Sequence, residues 1–249
     1  MGVYHARVTT TLSQTPAQRR VAAWHSTVML KALMAVSGLV MMLFLLVHMY
    51  GNLHVYAGQA AFDDYSHHFR TLFEPFLPYS AALWLIRVTL LTAVVLHAYS
   101  AVVLWLRARG ATGGRGGWRY ESTKARGGSQ RSYASFTMRW GGVTLALFII
   151  FHLLHLTTNT LSPGGASSSP YLRVVNGFQL WWVVLVYVLA LIALGFHIRH
   201  GFWSAFATLG ANSSIRRRQQ LNVAATAIAL LITLGFVAPP LSILFGWVG

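Results

Sequence analysis

The sequence predicts an all-α integral membrane protein with five transmembrane helices. Of its 249 residues, 55% are hydrophobic and only 9% are charged. A soluble domain usually has about 25% charged residues, so this chain has too few to cover a water-facing surface. The apolar residues also fall in long runs, of about the 20 residues that a helix needs to cross a bilayer. The basic residues cluster between these runs.

Five apolar stretches reach transmembrane length, and runs this long and continuous are helical because lipid cannot satisfy an open backbone. The spans are predicted at residues 28–50, 79–106, 138–158, 178–200 and 221–244. They form a single five-helix membrane domain, 28–249, after an N-terminal segment, 1–27. That segment lacks a short apolar core with a small-residue cleavage site, so we expect no cleaved signal peptide.

The basic residues are distributed unequally between the two sides of the predicted bundle. One side carries the N-terminal segment, the second-to-third connection and the fourth-to-fifth connection. Its basic residues are Arg7, Arg19, Arg20, Lys31, Arg107, Arg109, Arg115, Arg119, Lys124, Arg126, Arg131, Arg139, Arg199, Arg216, Arg217 and Arg218. The other side has only Arg70 and Arg173, with Asp63, Asp64 and Glu74. The positive-inside rule therefore predicts a cytoplasmic N-terminus and an external C-terminus.

The formal net charge of +15 could suggest a nucleic-acid-binding protein, but the membrane-length apolar runs argue against that class. The connection at 107–139 is rich in glycine and arginine, which is typical of a flexible, solvated loop that sets topology. A docking surface for an acidic partner or for anionic lipid is the alternative interpretation. We find no Walker or dinucleotide-binding motif in a strand–turn–helix context.

The sequence contains no cysteine. This excludes disulfides, thiolate-ligated iron–sulfur clusters and covalently attached c-type haem within this chain. If the protein handles electrons, it must hold a cofactor through other ligands or use clusters in a partner.

Eleven histidines are many for so apolar a chain, and an ionisable residue inside a span indicates function because it is costly in lipid. Helical rise predicts that His48 and His152 lie at an outer level and His97 and His197 at an inner level. Two histidines from different helices at one level can ligate a haem iron from both faces. The four residues thus predict a haem-binding bundle with one haem above the other.

Two further histidines leave the choice of ligands open. His155 and His200 lie three residues beyond His152 and His197, so each shares a helix face with its neighbour. Spacing alone does not decide whether His152 or His155, and whether His197 or His200, would bind iron. A lone histidine near a helix end is more often interfacial, but four at two matched depths favour ligation. A zinc site would need three or four ligands at one depth.

Three segments resemble a known family. They are Ser37-Gly38 followed by FLLVHMYGNL, then LHAYSAVVLW around His97, and GFHIRHGFWSAFATLG around His197. They are similar to the first, second and fourth helices of the cytochrome b membrane anchor of succinate dehydrogenase and fumarate reductase. The closest type is the single-subunit anchor with two haems, and the resemblance covers all five spans in order.

The resemblance implies that His97 and His197 ligate an inner haem b next to an iron–sulfur subunit, and that His48 and His152 ligate an outer one. It implies a subunit of a succinate:quinone oxidoreductase in the bacterial cytoplasmic membrane, with flavoprotein and iron–sulfur subunits on the cytoplasmic face. The dicarboxylate chemistry of the tricarboxylic acid cycle would lie in those partners. Electron transfer to or from membrane quinone, with menaquinone as the expected type, would occur at this subunit.

Basic residues near the histidines are candidates for pairing with haem propionates. Lys31 and Arg199 are candidates at the inner level, and Arg87 at the outer level. For Lys31 and Arg199, snorkelling to the interface is an alternative. Three residues just before the first span could border a quinone headgroup, although for the tryptophan among them an interfacial aromatic anchor is the safer interpretation. They are Trp24, His25 and Ser26.

Three other functions stay open at this point. A di-haem cytochrome b could anchor another quinone-linked dehydrogenase, such as a formate dehydrogenase or a hydrogenase. A haem-free anchor would only tether its partner. A transporter that uses histidines as proton relays belongs to a different class, and it predicts no bound chromophore.

Overall fold

A computed structural model describes residues 26–113 and 129–249, with side chains for 26–110 and 138–249. Five helices in the described part of the chain are long and apolar enough to cross a membrane. They are Thr27–Ala57, Ala81–Gly110, Met138–Thr157, Trp181–Thr208 and Ile215–Leu244. The predicted all-α membrane fold is confirmed. Trp24 and His25 lie outside the described residues, and the side of the N-terminus stays a prediction.

The helices are named in chain order. They are α1 (Thr27–Leu53), α2 (Gln59–Thr71), α3 (Ala81–Gly113), α4 (Ser129–His152), α5 (Pro170–Phe178), α6 (Trp181–Thr208) and α7 (Ile215–Leu244). A 3₁₀ turn, His54–Ala57, extends α1, and a π-helical turn, Leu153–Thr157, extends α4. The membrane helices are α1, α3, α4, α6 and α7, while α2 and α5 are short helices within connections.

The first span extends to Ala57 rather than 50, the last begins at Ile215 rather than 221, and α6 differs at both ends. The predicted span begins at 178, but Phe178 is the last residue of α5, and α6 begins at Trp181 and continues to Thr208. Side-chain hydroxyls cap other helices. The Ser214 hydroxyl accepts a hydrogen bond from the Arg217 backbone N–H at 3.2 Å, which satisfies one of the unpaired donors at the start of α7.

The membrane helices pack around α6, which lies against α7, α4 and α1, while α1 also packs on α3 and α7. Large apolar side chains remain exposed on the bundle exterior, among them Leu43 and Leu85, each 67% exposed, and Leu147. Such a surface suits lipid, which offers no polar partner and requires an apolar contact face.

The side of the bundle opposite the basic connections is closed by α2 and α5, which we call the cap. The Asp63 carboxylate of α2 accepts hydrogen bonds from the Ser169 hydroxyl at 2.6 Å and from the Tyr171 backbone N–H at 3.0 Å. Ser169 is itself the N-cap of α5, whose first residue is Pro170, the position where a missing N–H costs nothing. Asp63 therefore joins the two helices of the cap.

Candidate haem-binding site

Two pairs of histidines lie inside the bundle, each drawn from two different membrane helices. The ring centres of His48 (α1) and His152 (α4) are 5.8 Å apart, with ring planes at 79°. Those of His97 (α3) and His197 (α6) are 6.1 Å apart, with planes at 59°. The structure thus brings together the two pairs that helical depth predicted, and their role as ligands stays a prediction.

The separation within each pair fits a metal held between two imidazoles. Bound through facing nitrogens at about 2.0 Å, two imidazoles have ring centres about 6 Å apart. Neither pair joins helices that pack closely, because α1 lies against α3, α6 and α7, and α4 lies against α6. A flat porphyrin between each pair therefore does not require two tightly packed helices to separate. The histidines present fit a haem at both positions.

The two pairs lie at different depths, and two helices give the same spacing between them. On α1, Gly38 lies beside His97, since a Cβ on Gly38 would be 3.2 Å from the His97 Cε1 atom. His48 follows ten residues later. On α4, Gly142 lies beside His197, and His152 also follows ten residues later. Ten residues of helix span about 15 Å, so the pairs are stacked about 15 Å apart across the membrane.

The inner pair contains a histidine whose tautomer is set by the backbone. The His97 Nδ1 atom lies 3.0 Å from the Met34 carbonyl oxygen, which can only accept, so Nδ1 carries the hydrogen and donates it. Ser37 Oγ lies 3.4 Å from the same nitrogen. The Nε2 atom then keeps its lone pair, and metal-ligating histidines usually have this arrangement.

The partner ring of the inner pair has a buried nitrogen without a hydrogen bond. His197 Nδ1 is inaccessible to solvent and has no partner among the described residues. A buried polar atom without a partner is uncommon and needs a reason. A bound group that takes one of the two ring nitrogens would supply that reason.

A tyrosine hydroxyl links the outer pair to a second histidine. Tyr187 Oη lies 3.3 Å from His152 Nδ1 and 3.0 Å from His155 Nδ1. A phenolic hydroxyl can donate one hydrogen bond and accept others, so Tyr187 can hold both rings at once. His48 packs against Phe44 and Phe236, with ring centres 5.1 and 5.5 Å away.

The two alternate histidines lie in different surroundings from the four paired ones. His155 is 2% exposed, lies in the π-helical turn, and is surrounded by Phe151, Phe178 and Tyr187. A Cβ on Gly177 would overlap its imidazole, so α5 closes over this ring. His200 is exposed on α6. The structure places His152, rather than His155, opposite His48.

The other predicted site residues that the structure describes form no hydrogen bond or ring contact with the paired histidines. Ser26 is the N-cap of α1 and accepts a hydrogen bond from the Met29 N–H at 3.1 Å. Lys31 is exposed. Arg87, the candidate propionate partner at the outer level, is exposed, with its Cζ 5.1 Å from the centre of the Trp84 ring. Arg199 donates from Nε to Thr226 Oγ1 at 3.2 Å, towards α7.

Sequence reasoning missed Tyr187, the cap and the π-helical turn. Tyr187 lies three turns before His197 in an apolar run, and no sequence signal distinguishes it from an ordinary core aromatic residue. A π-helical turn is rare and occurs frequently at functional sites, but its sequence, LLHLT, reads as regular helix. Among the described residues, no three histidine or acidic side chains converge as a zinc site would require.

Residues 124–236 match the family described as the succinate dehydrogenase/fumarate reductase transmembrane subunit. Over these residues, the chain is similar to that family, and the match covers less than half of the 249 residues. No curated protein and no solved structure matches the chain significantly. The match to the succinate dehydrogenase/fumarate reductase transmembrane subunit includes α4, α6 and most of α7, with His152 and His197. The helices that carry His48 and His97 precede the matched residues, so their contribution rests on the geometry.

Proposed function

We propose that the chain is the membrane anchor and electron conduit of a succinate:quinone oxidoreductase, with one haem b between His97 and His197 and another between His48 and His152. The observation that carries the proposal is the stacking of two cross-bundle histidine pairs about 15 Å apart, in a chain whose residues 124–236 match this family of transmembrane subunits. Each haem, when bound, accepts and releases single electrons, which suits a path between an iron–sulfur subunit and membrane quinone.

The chain would orient the histidine rings and exclude water from the two haem sites. The Met34 carbonyl and the Tyr187 hydroxyl each bond an Nδ1 atom, which leaves the Nε2 atoms of His97 and His152 for iron. Phe44 and Phe236 pack on His48 and exclude water from the outer site. A hydrogen bond at Nδ1 makes the imidazole a stronger donor, and burial sets the local dielectric, so both features influence the reduction potential.

The soluble partners would dock on the basic side of the bundle. There the described residues include Arg107 at the end of the α3 span and Arg139 at the start of the α4 span, and both are exposed. The charge distribution supports a cytoplasmic position for this side, by the positive-inside rule. The flavoprotein and iron–sulfur subunits would then meet the inner pair, His97 and His197. Residues 28–249 would form one domain in a bacterial cytoplasmic membrane.

Quinone, with menaquinone as the expected type, would react near a haem close to one membrane surface. Ser26 caps α1 on the basic side, with Trp24 and His25 just before it in sequence, and these three residues are the proposed quinone vicinity. Lys31 is the proposed propionate partner of the inner haem. It lies seven residues, or two helical turns, before Gly38. Lys31 is therefore on the same face of α1 as Gly38, the face that contacts His97.

The decisive experiment is purification of a tagged chain from its native membrane, followed by a pyridine haemochrome assay and identification of the co-purifying subunits. We expect two haems b per chain, together with a flavoprotein and an iron–sulfur protein. A single haem would mean that one pair is wrong. Absence of haem would contradict electron conduction and favour a plain anchor or a transporter. A molybdenum or nickel enzyme in place of the flavoprotein would identify a different dehydrogenase.

A further inference from the structure

Arg199 lies on the side of α6 that faces away from the inner histidine pair. His197 points towards α3 and α4, where its ring meets His97 and approaches Gly142. Two residues farther along a helix the side chain is rotated by about 200°. Arg199 accordingly reaches α7, where its Nε donates to Thr226 Oγ1 at 3.2 Å. Its side chain is therefore directed towards α7 and away from the ring of His97.

The Arg199 guanidinium has no anionic partner within the described part of the protein. Its one hydrogen bond there uses Nε, so the terminal nitrogens keep their donors for another group. The described acidic residues, Asp63, Asp64 and Glu74, all lie in the connection between α1 and α3, on the opposite side of the membrane. An arginine within a span normally pairs with an opposite charge or a polar group, because its burial in lipid is costly.

A groove runs along α7 from this arginine. Its volume is about 460 Å³, and it is lined by Arg199, Asn222, Val223, Thr226, Ala227 and Leu230. Arg199, Asn222 and Thr226 supply its polar groups, and Val223, Ala227 and Leu230 form an apolar strip that extends towards the bilayer centre. Val223 is 70% exposed and Leu230 is 55% exposed, so this apolar strip faces outward from the bundle. The groove thus has a positive charge at one end and an apolar wall that continues from it along α7.

The position of the groove matches the depth of lipid headgroups and the first acyl carbons. Arg199 lies nine residues before the end of α6 at Thr208, and Asn222 seven residues after the start of α7 at Ile215. These distances correspond to roughly 10–14 Å inside the helix ends. Three exposed arginines in the first turn of α7, Arg216, Arg217 and Arg218, lie outside the groove lining.

We propose that this groove binds one anionic phospholipid, with its phosphate on Arg199 and one acyl chain along Val223, Ala227 and Leu230. Thr226 fixes the guanidinium: its hydroxyl accepts from Arg199 Nε and donates to the Asn222 carbonyl at 3.0 Å. The free edge of a guanidinium held in this way can bond two phosphate oxygens. Basic pockets between membrane helices on the cytoplasmic side bind lipid head groups by the same chemistry.

The test uses native mass spectrometry on the purified holoprotein after delipidation and addition of phosphatidylglycerol or phosphatidylcholine with identical acyl chains. We expect one tightly retained phosphatidylglycerol and much weaker retention of phosphatidylcholine. Arg199→Gln should weaken phosphatidylglycerol binding about tenfold, the usual effect of a lost charge-assisted hydrogen bond. Arg199→Lys should restore part of it. Arg217→Gln is the matched control, because it removes the same charge at the same membrane side outside the groove lining, and it should leave binding nearly unchanged.

Three results would overturn the proposal. Equal losses in Arg199→Gln and Arg217→Gln would mean diffuse attraction to a charged surface. Equal retention of the two lipids by the unaltered protein would mean that the groove does not recognise an anion. Displacement of the bound lipid by stoichiometric menaquinone would assign the groove to quinone. Haem content, measured on the same samples, should stay constant in Arg199→Gln, and a loss of haem with intact lipid binding would return Arg199 to a propionate role.

Discussion

The ring centres of His48 and His152 lie 5.8 Å apart, although the two residues are on α1 and α4, which do not pack closely on one another. The gap between these helices is crossed by the two side chains, and aromatic residues fill the space around them. His155, one turn farther along the chain, is instead held by Tyr187 and covered by α5. The arrangement distinguishes two neighbouring histidines that sequence spacing left equivalent.

The first prediction separates His152 from His155. His48→Ala and His152→Ala should each leave one haem per chain, because each removes an axial ligand of the outer site only. His155→Ala should retain both haems, since its Nδ1 atom bonds Tyr187 and its ring abuts Gly177. A pyridine haemochrome assay normalised to protein gives the stoichiometry. Loss of one haem in His155→Ala, with two retained in His152→Ala, would reverse the assignment.

The second prediction concerns the hydroxyl of Tyr187. Tyr187→Phe keeps the ring that packs on Phe178 but removes the partner of His152 Nδ1, so the imidazole becomes a weaker donor to ferric iron. The reduction potential of one haem should rise by roughly 40 mV, the equivalent of a hydrogen bond of about 1 kcal/mol. The other haem should be unaffected in a redox titration. Tyr171→Phe, also buried but in the cap, is the control and should shift neither potential.

The third prediction tests the close approach of α1 to the inner pair. Gly38→Leu should displace His97 and abolish the inner haem, because even a Cβ at this position lies 3.2 Å from the ring. The outer haem should remain, at a different potential from the one lost. Gly201→Leu provides the comparison, since nothing lies within 4 Å of a Cβ at that glycine. Two normal haems in Gly38→Leu would contradict the position of α1 beside His97.

The fourth prediction addresses the cap. Asp63→Ala removes the acceptor for the Ser169 hydroxyl and the Tyr171 N–H, and it should lower the free energy of unfolding by roughly 2 kcal/mol, in the range of hydrogen bonds to a charged group. Thermal denaturation followed by tryptophan fluorescence gives the change. Asp64→Ala alters the adjacent, exposed carboxylate and should have little effect. An equal loss in both variants would mean that charge alone, rather than the bonds to α5, stabilises the cap.

The sequence by itself determined the membrane class, the five spans and the depth of each histidine. These properties follow from composition, run length and helical rise, which act within one segment and need no partner. The same reasoning indicated that His48 belongs with His152 and His97 with His197, because residues on two membrane helices can meet only at equal depth. Short connecting helices such as α2 and α5 gave no signal of membrane length, so their presence could not be anticipated in this way.

The tertiary structure alone decided the directions of side chains around each helix. Periodicity gives the relative angle between Arg199 and His197, but the neighbours on each side of α6 determine that one meets α7 and the other meets His97. The same holds for Arg87, which is exposed beside Trp84, and for His155, which is enclosed by α5. The depth of a residue depends on one helix alone. The direction in which its side chain points depends on the whole bundle, since packing between helices fixes the rotation of each helix about its axis.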